Sequence, residues 1–76
     1  MTKKDMIVEV LKQHSCLNSF EIKGFIHRMY NEDTTPQSVS GSLRPLVSQG
    51  YVGKSSSPSG KMVYWLTDAG RVKFGD

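Results

Sequence analysis

Gly50 divides this chain into two regimes of apolar spacing. Before it, apolar residues recur at three- and four-residue steps, the period of a buried helical face. After it, β-forming residues gather in short runs separated by Gly, Ser and Pro. Three helices followed by a β-hairpin satisfy both halves, which makes the expected class α+β, mainly α.

Met6, Ile7, Val10 and Leu11 predict a first amphipathic helix from Lys3 to about Gln13. His14-Ser15-Cys16-Leu17 lacks that pattern and bridges to the next element. Asn18 is a good N-cap and Glu21 can complete a capping box. Ile22, Phe25, Ile26 and Met29 then form one stripe of a second helix, from about Ser19 to Tyr30. Gly24 within it suggests close approach of a neighbouring helix, since glycine there costs about 1 kcal/mol against alanine. Asn31-Glu32-Asp33-Thr34 is a polar turn. Thr35 caps a third helix with Pro36 at its first position, where a missing N–H does no harm. Val39, Leu43, Leu46 and Val47 are its buried stripe, and Gly50 its left-handed stop. Pro45 cannot donate to the Gly41 carbonyl, so a kinked or tightened single helix is expected there.

Tyr51-Val52 opens a strand and Met62 to Leu66 is its return. Gly53 to Lys61 reads as a mobile, polar hairpin tip with Lys54 and Lys61 on its flanks. Thr67 caps a last short helical turn with Asp68 inside it. Nothing divides residues 1–76 into two domains.

Length and charge narrow the function. A chain of 76 residues buries only about 60% of its unfolded surface and has little room for a catalytic cleft or a dinucleotide-binding unit. A binder is expected rather than an enzyme. Cys16 is the only cysteine, so no internal disulfide can form and a reducing, cytoplasmic setting is implied. No apolar run reaches membrane-spanning length and no signal peptide is evident. The formal net charge is +3, all of it beyond Thr34, and no acid occurs from Thr34 to Thr67. Such a stretch, with spaced bases, suits an anionic partner.

Two segments resemble the winged helix-turn-helix family. Ser38-Val39-Ser40-Gly41-Ser42-Leu43-Arg44-Pro45-Leu46-Val47-Ser48-Gln49-Gly50-Tyr51-Val52 looks like its recognition helix running into the first wing strand. Tyr64-Trp65-Leu66-Thr67-Asp68-Ala69-Gly70-Arg71 is similar to the strand-to-helix ending of MarR, PadR and ArsR-like regulators. The resemblance implies a three-helix core with a two-stranded wing, binding duplex DNA as a small transcriptional regulator. Helix three, about 35–49, would enter the major groove and the wing, 53–61, would lie on the backbone.

Carried onto this chain, the outward face of helix three holds Gln37, Gly41, Arg44, Pro45 and Ser48, with Thr34 and Ser38 nearby. Gln37 can pair with adenine, and Arg44 can reach guanine or a phosphate. The hydroxyls of Thr35, Ser38 and Ser42 suit phosphate oxygens, and Lys54 and Lys61 would neutralise phosphates. The chain departs from the family in carrying one base on this face, a mid-helix proline, and no long terminal helix for the usual dimer. A protein-binding winged helix, an adaptor or inhibitor of a larger complex, is therefore the second reading. It would use helix three or the Trp65 face. The wing lysines would serve RNA or non-B-form DNA equally well.

Strand alternation puts Met62, Tyr64 and Leu66 on the core side and Val63 and Trp65 outside. Trp65 is then either a contact or base-stacking residue, or is covered by Val72 and Phe74 of the tail. Phe20, Phe25, Tyr30 and Tyr51 read as fillers between helices. Cys16 reads as a small buried residue and His14 as a helix-end residue. The spacing of His14, Cys16 and His27 matches no zinc motif, so no metal or cofactor is expected. Ser55-Ser56-Ser57 lacks the pattern of a phosphate loop, and Arg71 and Lys73 read as solvated.

Overall fold

Each helix begins on a side chain that answers its free N–H groups. A computed structural model describes residues 2–14 and 16–75, so Ser15 of the expected bridge lies outside the described residues. Helix α1 (Lys3–Gln13) starts at Thr2, whose Oγ1 accepts from the Asp5 N–H while Asp5 accepts from the Thr2 N–H, both at 3.2 Å. The Thr2 backbone donor holds the Asp5 carboxyl below its usual range, and the Thr2 hydroxyl adds to this. Helix α2 (Ser19–Tyr30) has the expected box: Asn18 accepts from the Glu21 N–H at 2.9 Å, and Glu21 from the Asn18 N–H at 3.0 Å. Helix α3 (Pro36–Ser48) starts at Thr35, which accepts from the Ser38 N–H at 3.1 Å. It runs as one α-helix through Pro45.

The chain leaves α3 through Gly50 at φ +84°. The Gly50 N–H bonds to the Val47 carbonyl and the Tyr51 N–H to the Leu46 carbonyl, a Schellman ending. Strand β2 (Val52–Ser56) and strand β3 (Met62–Leu66) form the hairpin, and α4 (Asp68–Lys73) closes the chain behind its Thr67 cap. Val39, Leu43 and Leu46 of α3 meet Ile7, Val10 and Leu11 of α1 and Ile22 and Ile26 of α2 in a buried core. Val52, Tyr64 and Leu66 cover this core from the hairpin side. Among the described residues, no helix is long and apolar enough to cross a membrane.

The structure differs from the sequence reading in several places. The sheet has three strands, in the order β1-β3-β2, because the bridge contributes β1 (Leu17–Asn18), paired antiparallel with β3. The hairpin strands run out to Ser56 and Met62, so the tip is shorter than Gly53 to Lys61. Cys16 is exposed, not buried, and takes φ +60° to turn the chain from α1 into β1. Gly24 answers no close neighbour, because an added Cβ there would meet nothing within 4 Å. Met29 is exposed rather than part of the buried stripe, and Val8 is buried in its own right. Phe20 is 62% exposed and fills no space between helices.

The tail does not cover Trp65. Val72 is 84% exposed, and Phe74 packs edge-on against Tyr51 at 5.6 Å between centroids. Trp65 is half-buried by lying over its cross-strand partner Gly53, where any Cβ would overlap the indole. Arg71 is also half-buried and borders the same outer hollow as Trp65 and Cys16, whereas Lys73 is exposed.

Candidate nucleic-acid interface

The outward face of α3 follows from its buried stripe. With Val39, Leu43 and Leu46 inside, a 100° step per residue turns Gln37, Gly41, Arg44, Pro45 and Ser48 outward, and all five are exposed. Ser38 and Ser42 are half-buried on the helix flank. Ser38 accepts a hydrogen bond from the Lys3 ammonium at 3.2 Å, which ties it to α1. Thr35 is exposed, with its oxygen engaged by the Ser38 N–H.

Strand register decides where Lys54 goes. Lys54 pairs directly with Tyr64, so both side chains leave the sheet on the same face. Tyr64 is buried toward the helices, and Lys54 therefore faces α3 rather than the wing tip. Together with Ser40, Arg44 and Ser48 they line a hollow of about 230 Å³ between α3 and the hairpin.

Two more hollows adjoin the first. Phe20, Pro36, Gln37 and Gly41 line one between the start of α2 and α3, again with Arg44. Phe20, Lys61, Met62 and Tyr64 line the other, between α2 and β3. Ser40 borders all three, so they form one trough, and a 2.9 Å hydrogen bond between the Ser19 and Ser40 hydroxyls braces it. Lys61 lies over the Phe20 ring at 5.4 Å from its centroid, within cation–π range. Arg44, Lys54 and Lys61 all border the trough, and no acidic residue among the described residues lines it.

The trough thus brings together Gln37, Gly41, Arg44, Lys54 and Lys61 of the expected site, and leaves Ser38 and Ser42 outside it. Phe20, Ser19, Ser40 and Tyr64 border it without having been expected to. Phe20 was detectable: it sits about half a turn of the helical wheel away from Ile22 and so lies off the buried stripe. Lys54 shares a face with Tyr64 because of a cross-strand register that only the assembled sheet reveals. Among the described residues, no three His, Cys, Asp or Glu side chains converge as metal ligands. His27 pairs with Asp33 at 3.2 Å, and His14 stacks on Phe25 at 4.1 Å.

No protein-family model matches the chain, and no curated protein matches it in sequence. Solved structures do. RosR of H. salinarum is 26% identical and superposes with a TM-score of 0.84, over the whole of this chain and 69% of its own. F93 from STIV, a winged-helix DNA-binding protein, is 21% identical with a TM-score of 0.77, covering 92% of this chain and 76% of its own. PadR of Bacillus subtilis, solved with operator DNA, is 20% identical with a TM-score of 0.79, covering 96% of this chain and 45% of its own. The fold described above is the winged helix, the fold of F93.

Proposed function

We propose that this winged-helix chain, with residues 1–76 acting as one unit, binds duplex DNA in the cytoplasm and regulates transcription. The reading makes it a binder rather than an enzyme. One observation carries it: the acid-free trough in which Arg44, Lys54 and Lys61 flank the outward polar face of α3. Phosphates are the dominant anions that such spaced cations match. In this reading α3 enters the major groove, where Gln37 addresses adenine and Arg44 guanine or a phosphate. Thr35 stands at the α3 N-terminus, where the positive end of the helix dipole favours a phosphate. Lys54 and Lys61 follow the backbone on either side of Tyr64. The solved complex of PadR with operator DNA supports the reading at the level of fold.

The test is an amide-resolved NMR titration with a duplex of about 20 base pairs, roughly two helical turns. Shifts are expected at Thr35 to Ser48, Lys54 and Lys61, and they should fade as salt rises. Three phosphate contacts predict a slope of log K against log salt of about −3. No shift at low salt and high DNA excess would remove the DNA reading.

A second hollow favours the adaptor reading. It lies on the outer face of the sheet and is bordered by Val63, Trp65, Pro58 and Arg71, a mostly apolar surface with one cation. A protein partner seated there would give weak salt dependence and sensitivity to Trp65→Ala, with no effect of Lys54→Ala or Lys61→Ala.

A further inference from the structure

Phe20 shares one hollow of the trough with Pro36 and another with the exposed Met62, so the trough holds a contiguous apolar patch, and such patches mark interaction sites. Phe20 is 62% exposed and stands as a wall between two of the trough hollows. Lys61 covers the ring toward β3. On the α3 side, Phe20 faces the hollow completed by Pro36, Gln37, Gly41 and Arg44. The Pro36 ring makes a second apolar surface. Gly41 presents no side chain, and an added Cβ there would meet nothing within 4 Å. The result is a recess of mostly apolar surface, bordered also by Ser19 and Ser40, between Gln37, which can bond to a base edge, and Arg44, which can hold a phosphate.

Resting on the DNA reading above, we propose that this recess reads the 5-methyl group of thymine, with Phe20 as the specificity-determining contact. In the major groove the thymine methyl is the one apolar group that a base edge offers. A Gln37 that pairs with adenine places an A·T pair beside the recess, and the methyl of that pair or its neighbour projects into the same groove. Arg44 and Lys61 hold the flanking phosphates and keep the duplex in register. The start of α2 thereby reads a base through Phe20, while the capping box engages the N–H groups of Asn18 and Glu21.

The experiment begins with duplexes selected for tight binding from a random library by the wild-type protein. Each thymine is then replaced in turn by deoxyuridine, which lacks only the 5-methyl group. Wild type should lose about fourfold in affinity at one or two thymines, the weight of one buried methyl group. Phe20→Ala should bind the thymine and deoxyuridine duplexes equally, and Phe20→Leu should retain part of the discrimination. Circular dichroism of both variants should match wild type, since Phe20 lies outside the core. If no duplex is enriched, the DNA reading itself fails. Enrichment without any deoxyuridine penalty, or an undiminished penalty in Phe20→Ala, would overturn the Phe20 assignment alone.

Discussion

The Thr67 hydroxyl donates to the Gly50 carbonyl at 2.7 Å and accepts from the Gly70 N–H at 3.1 Å. One side chain therefore joins the left-handed exit of α3 to the first turn of α4. The backbone reinforces the junction, since the Thr67 N–H bonds to the Tyr51 carbonyl at 3.0 Å. This junction fixes the angle at which the hairpin leaves α3, and with it the position of Lys54 beside Arg44.

Replacing Thr67 by valine keeps the shape and removes both side-chain bonds. The expected loss is about 1–2 kcal/mol. For a domain of this size each kcal/mol lowers Tm by roughly 4–8 °C. Thermal unfolding followed by circular dichroism measures it, and an unchanged Tm would show that the junction carries no stability.

Two glycines should respond to alanine in opposite directions. A Cβ on Gly70 would run into the Tyr51 carbonyl oxygen and the Leu66 side chain, and the carbonyl belongs to backbone already held by Thr67. Gly70→Ala should destabilise by more than about 2 kcal/mol. Gly24→Ala meets nothing and should stabilise by about 1 kcal/mol through helix propensity alone. Urea unfolding of the pair tests both signs at once.

Gly41→Ala separates stability from binding. Its Cβ is also unopposed within the protein, so Tm should rise by an amount similar to that for Gly24→Ala. On the DNA reading the same methyl group fills the recess between Phe20 and Arg44, and duplex affinity should fall although the fold is firmer. A rise in both quantities would show that no ligand approaches α3 at this position.

Lys54→Ala should reduce the salt slope of duplex binding by about 0.9, the contribution of one phosphate contact. Lys23→Ala serves as the control, because Lys23 is exposed on α2 and lines none of the trough hollows. Fluorescence anisotropy across a salt series reads the slopes, and equal slopes for the two variants would dissociate Lys54 from the interface.

The Thr2–Asp5 capping box predicts a small acid dependence. Because the folded carboxyl titrates below its ordinary value, Asp5 favours the folded state above the unfolded pKa. That contribution is lost as pH falls through the folded pKa. Carboxyl NMR should place the Asp5 transition below the ordinary aspartate range, and Thr2→Ala should move it upward. Because Thr2→Ala keeps the backbone N–H, the larger cause, the move should be partial, and a full return to the ordinary range would assign the shift to the hydroxyl instead.

Much of the fold was legible because its signals are local. Asn18 with Glu21, Thr35 with Pro36, and Thr67 each satisfy N–H groups within three residues, so α2, α3 and α4 begin where composition and spacing place them. Gly50 takes its left-handed conformation for the same local reason. Alternation from Val63 to Leu66 also held, with Tyr64 and Leu66 buried and Val63 and Trp65 on the other face, whereas Met62 at the start of the strand is exposed beyond the core. The candidate site was legible only in part. Gln37, Gly41 and Arg44 follow from the helical period, whereas Phe20 and the facing of Lys54 depend on neighbours distant in the chain.

What the sequence determined by itself was the four helices and the hairpin, their order, and the outward face of α3, because caps, turns and apolar periods act within a few residues. Tertiary structure decided the rest. Leu17 and Asn18 become a strand only because β3 lies beside them, and a two-residue segment has no pattern of its own to announce it. Cys16 takes a left-handed backbone directly ahead of β1, which no local glycine or asparagine announces. Trp65 stays half-covered because its cross-strand partner is a glycine. Arg44, Lys54 and Lys61 border one trough because the hairpin folds back against α3, and charge patterns along a chain carry no information about which cations will meet across a fold.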